Sequence, residues 1–129
     1  MNLTQRTESF GQGNQSWLAG PHGTDANIGV TLDTSTFTAG THYPDGYFIS
    51  GIPLGKITAT GKYGPYASGA SDGRETLVCF LMNDVKAPAV TTQDPVGAGF
   101  MHGGIVEANL PISVDSAGKV DVAGRIWFV

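Results

Sequence analysis

The sequence predicts a mainly β fold: a small, glycine-rich β-barrel type of domain with little helix and an extended N-terminal arm. Three observations predict it. Glycine supplies 19 of the 129 residues, about twice its usual share, and with 7 prolines it sets many turns. No stretch holds helical spacing of apolar residues over about eleven positions. The run Leu77–Met82 is unbroken and apolar, and its turn-residue flanks mark a strand covered on both faces.

The length fits one domain, able to bury roughly two-thirds of its unfolded surface. Hydrophobic residues make up 40%, slightly below the usual range, so the core should be modest. Net charge is −4, from 7 basic and 11 acidic residues. No basic cluster marks a nucleic-acid footprint, and none favours a membrane surface. Charged residues are only 14%, a composition suited to a surface partly covered by other protein. No apolar run reaches the length of a membrane span. The first residues lack the apolar stretch of a signal peptide. The expectation is a soluble protein synthesised in a cytoplasm, with Asn2-Leu3-Thr4 and Asn14-Gln15-Ser16 as chance glycosylation triplets.

Residues 1–27 carry no sustained hydrophobic periodicity and are rich in Gln, Asn, Ser, Thr and Gly. They nevertheless hold Phe10, Trp17 and Leu18, whereas disordered solubilising tails are depleted in aromatics. The segment reads as an arm that orders on a partner, with Phe10 and Trp17 as anchors. The plainer alternative is a frayed terminus whose aromatics tuck back onto the body. The division is therefore an arm over 1–27 and a β-rich domain over 28–129.

Within the domain, Ile28, Val30 and Leu32 alternate with Gly29, Thr31 and Asp33, the period of a half-buried strand. Tyr43-Pro44-Asp45-Gly46 has the composition of a tight turn, and a short strand should follow over 46–50. Residues 54–63 read as β-rich and run into a Gly64-Pro65 turn. A polar bend at 68–73 leads to the apolar run. Residues 96–106 alternate apolar with small residues, as in a strand lying close to other backbone. Asp115–Lys119 reads as a turn joining Ile112/Val114 to Val120/Val122 in a hairpin, while 105–110 has room for a turn or two of helix. Residues 125–129 form an apolar terminus suited to a sheet or an interface.

Chemical motifs are weak. Gly61-Lys62-Tyr63 fails the phosphate-loop pattern, because Lys56 stands at the position of the first glycine and Tyr63 follows the lysine. His22, His42 and His102 lack zinc-site spacing, so no metal and no cofactor are expected, and His102 reads as an ordinary polar residue at a strand end. No Gly-x-Ser-x-Gly occurs. Asp72 and Glu75 would serve an enzyme as an acid/base pair, with His102 as a partner; they suit a turn with solvated charges better. Cys79, the lone cysteine, sits inside the apolar run as a small buried hydrophobe.

Several features taken in order resemble one family. These are Thr7-Glu8-Ser9-Phe10, Gln12-Gly13-Asn14, Leu54-Gly55-Lys56-Ile57-Thr58, Gly61-Lys62-Tyr63 and Ala70-Ser71-Asp72-Gly73 before the 77–81 run. His102-Gly103, Leu110-Pro111 and the apolar end at 126–129 complete the series. Together the chain resembles the lambda-type head decoration, or capsid-stabilising, proteins of tailed bacteriophages. The resemblance implies a β-tulip-like body without enzymatic activity, assembled as a homotrimer on the outer surface of the expanded virion capsid. It further implies that the arm clamps neighbouring major capsid protein subunits. It assigns Thr7, Glu8, Ser9 and Phe10 to capsid binding; Trp17 and Leu18 are added on their apolar character alone. A hairpin rather than a helix after Leu110 would be a departure from that family. A second reading is a β-barrel module that recognises host-surface glycans through Tyr63, Tyr66 and Trp127.

Overall fold

A computed structural model describes residues 15–129. Its central sheet has five strands, all antiparallel to their neighbours. They are β1 (Ile28–Thr31), β3 (Pro53–Lys56), β4 (Tyr63–Pro65), β5 (Cys79–Leu81) and β7 (Val96–Phe100), in the order β1-β7-β5-β3-β4. A two-stranded pair joins β2 (Tyr47–Phe48) to β6 (Val85–Lys86). A second pair sets β8 (Gly103–Ile105) parallel to β9 (Ile126–Phe128). Two short helices, α1 (Ala39–His42) and α2 (Ser116–Asp121), complete the elements with 3-10 turns at Thr34–Thr36 and Glu107–Asn109.

The apolar run becomes β5, the middle strand of the central sheet, and its alternation divides the core. Phe80 points into one cluster with Trp17, Leu77, Phe100, Ile105 and Val122. Cys79 and Leu81 point into the other with Val30, Phe48, Ile52 and Leu54. A strand with both faces buried needs no polar side, which is why the run carries none. Each fully buried Leu or Phe contributes about 1.5–3 kcal/mol of transfer free energy. Cys79 lies wholly inside, and burial pushes its thiol up to about 12.

Local chemistry sets the edges. The turn at 43–46 closes with the Gly46 N–H donating to the Tyr43 carbonyl at 3.2 Å. Pro65, expected in a turn, ends β4, an outer strand of the sheet, where a missing N–H costs no ladder bond.

Beyond β8 the structure corrects the expected hairpin. Residues 116–121 form helix α2 because the Asp115 carboxylate accepts the Gly118 N–H at 2.8 Å, an N-cap that satisfies an otherwise orphaned donor. The helix also serves the crossover that a parallel β8–β9 pair requires. Arg125 fixes the returning chain by donating to the Met101 carbonyl at 2.8 Å and the Val78 carbonyl at 3.1 Å.

Candidate functional site

Of the residues assigned to capsid binding, Thr7, Glu8, Ser9 and Phe10 lie outside the described residues. Trp17 and Leu18 are described, and they belong to the body. Trp17 is fully buried, edge-on to Phe100 with ring centroids 5.4 Å apart and 6.1 Å from Phe80. Its indole N–H donates to Ser50 Oγ at 3.0 Å, and Ser50 Oγ donates onward to the Met82 carbonyl at 2.8 Å. Leu18 is half-buried and bridges Ile105 antiparallel. A buried indole is unavailable to another protein, so Trp17 holds the chain's own core together.

The backbone around it is equally committed. The Val106 N–H donates to the Trp17 carbonyl at 2.7 Å, and the Ala19 N–H to the Gly104 carbonyl at 3.0 Å. The segment thus adds to the open side of β8, opposite β9. Gln15 Nε2 reaches the Met82 carbonyl at 2.9 Å and Asn83 Oδ1 at 2.7 Å, while Asn109 Nδ2 donates to the Ser16 carbonyl at 3.0 Å. Residues 15–19 form a root, set between the loop after β5 and the turn at 107–109. Sequence reasoning passed over Gln15, Ser50 and Asn109. They are common polar residues, and only the fold brings them together.

The candidate enzymatic groups are spent in their own turn. Asp72 pairs with Arg74 Nε at 2.9 Å, and its carboxyl is held low first by the Arg74 backbone N–H. Glu75 accepts the Gly73 N–H at 2.8 Å. His102 instead meets His22, Nε2 to Nε2 at 3.0 Å, beside Trp127. Nothing in the spacing of residues 22 and 102 signals that meeting. His42 stands apart: Thr38 N–H donates to its Nδ1 at 2.8 Å, and burial pulls its basicity down. Among the described residues no group of three or more His, Cys, Asp or Glu side chains is placed to hold a metal ion. No described helix is long and apolar enough to cross a membrane.

The aromatics of the glycan reading divide among different environments. Tyr63 is buried in the second cluster. Tyr66 is half-buried against the first, its hydroxyl donating to Asp115 at 2.7 Å. Of the three, Trp127 alone is exposed. Exposed apolar groups also occur at Val96, Val120 and Val129.

A turn-rich, mainly antiparallel body whose polar side chains tie loops, caps and an N-terminal root defines a small, mainly β protein. The family profile of the bacteriophage lambda head decoration protein D matches residues 17–117, and the chain belongs to that family. It is a structural family of the phage head and not an enzyme family, which places the protein at the capsid of the virion. The match opens at Trp17, the buried residue in the middle of the root. No curated protein matches the chain.

Proposed function

We propose that the protein binds as a homotrimer to the outer surface of the expanded capsid and clamps neighbouring major capsid protein subunits through residues 1–14. Within that arm Thr7, Glu8, Ser9 and Phe10 make the capsid contacts, and Trp17 and Leu18 serve as its anchorage in the body. The host cytoplasm is where the chain is made. The observation that carries this reading is the root at 15–19, where a buried indole and a strand-like pairing tie the arm's base to the core. A clamp transmits load only if its base is fixed, and Trp17 supplies that fixture.

Energetics favour repetition over single-site strength. Ordering an arm on binding costs roughly 2–5 kcal/mol, and three arms on one trimer offset it through effective concentration. Exposed Val96, Val120, Trp127 and Val129 supply apolar surface for contacts with copies of the chain or with the shell. Only an expanded lattice presents the arm sites at matching spacing. The test is cosedimentation of the purified chain with expanded and with unexpanded empty heads. Saturable binding to expanded heads alone is expected; equal binding to both, or to neither, contradicts the proposal.

A further inference from the structure

The two histidines that meet across the fold form a preorganised pair. Gly23 (φ +81°) and Gly103 (φ +137°) lie in the left-handed region, and each abuts the other histidine's carbonyl. A Cβ on Gly23 would run into the His102 carbonyl oxygen, and one on Gly103 into the His22 carbonyl oxygen. Each histidine is thus followed by the glycine that lets its neighbour approach. The interlock fixes both backbones, and the Trp127 ring sits 5.5 Å from the His22 ring and 6.1 Å from the His102 ring. His22 is exposed and His102 half-buried, so solvent reaches the point where the nitrogens converge.

We propose that His22 and His102 chelate one divalent transition-metal ion through their Nε2 atoms, with solvent completing its coordination. With metal–nitrogen bonds of about 2.0–2.1 Å, nitrogens 3.0 Å apart subtend roughly 95° at the ion. That is a cis pair at near a right angle, the geometry of tetragonal Cu(II) or Ni(II). A tetrahedral Zn(II) site would need them roughly 3.3 Å apart. Without an ion the same contact is a hydrogen bond between the two rings, its donor set by the tautomer. With one, the ion crosslinks the loop after the root to the bend before β8 and stabilises the fold by mass action.

The test is calorimetric titration of the untagged full chain with NiCl2 and with CuSO4 at neutral pH, joined by electron paramagnetic resonance of the copper form. One equivalent should bind per chain, with two nitrogen donors in the copper spectrum. His22→Ala should weaken binding by more than about tenfold, since removal of an outer-shell partner alone costs that much. Because His22 is exposed, that variant tests the site even where His102→Ala disturbs the fold. His42→Ala should bind as the parent does. Absence of one-to-one binding, affinity unchanged in His22→Ala, or loss confined to His42→Ala overturns the assignment.

Discussion

Trp17 and Ser50 meet in the interior, the indole N–H donating to the hydroxyl oxygen at 3.0 Å, and neither side chain reaches solvent. Ser50 is held in turn, its backbone N–H donating to Asp84 Oδ1 at 2.7 Å and its hydroxyl to the Met82 carbonyl at 2.8 Å. This short chain of bonds joins the N-terminal root to the loop after β5. Trp17→Ala should cost about 3–5 kcal/mol through the cavity it opens. Ser50→Ala, which strands the indole N–H, should cost about 1–3 kcal/mol. Urea denaturation at fixed m-value measures both.

The Tyr66–Asp115 contact makes stability depend on pH at both ends of the scale. Asp115 is held below the usual carboxylate range, first by the Tyr66 hydroxyl and then by the Gly118 N–H. Its contribution is present above the unfolded value of about 3.9 and is lost as pH falls through the lower folded value. Tyr66 is pushed up to about 12, first by burial and then by its bond to Asp115. Its contribution is present below about 10 and is lost as pH rises through the folded value. Tyr66→Phe should shrink the alkaline loss, leaving the part that buried Cys79 and Tyr63 contribute. Asp115→Asn, which keeps an N-cap side chain, should shrink the acid loss. Thermal melts across pH read both; an unchanged alkaline limb in Tyr66→Phe would contradict the assignment.

Cys79 should be inert while the chain is folded. Burial raises its thiol to about 12, and alkylation requires exposed thiolate. Iodoacetamide labelling near neutral pH should therefore track unfolding in urea. Prompt labelling without denaturant would mean that β5 is not closed on both faces.

Much of the fold was legible because buried strands write themselves plainly. Leu77–Met82 announces a covered strand by lacking polar residues, and the Pro-Asp-Gly order at 44–46 announces its turn. Helix α2 was hidden by its brevity: six residues hold too few turns to show a period, and Gly118 weakens the pattern further. The signal that remained was Asp115, read as a turn residue when it acts as a cap. Trp17 was misplaced for a related reason, since a single indole among polar residues has no periodicity to betray a buried face. Its partner Ser50 lies 33 residues away. The His22–His102 pair is separated by 80 residues, and only the interlocked glycines bring it together.

The proposed arm ends where the root begins. Removal of residues 1–14 spares the bonds that Gln15, Trp17 and Leu18 make among the described residues, whereas removal through residue 19 takes out Trp17. The shorter deletion should melt as the full chain does. The longer one should lose the 3–5 kcal/mol or so that a core tryptophan represents.

Cosedimentation of the chain beginning at residue 15 with expanded empty heads separates attachment by the arm from attachment by the body. The folded body should stay in the supernatant while the full chain pellets with the heads. Full occupancy of the heads by the shortened chain would contradict attachment by the arm.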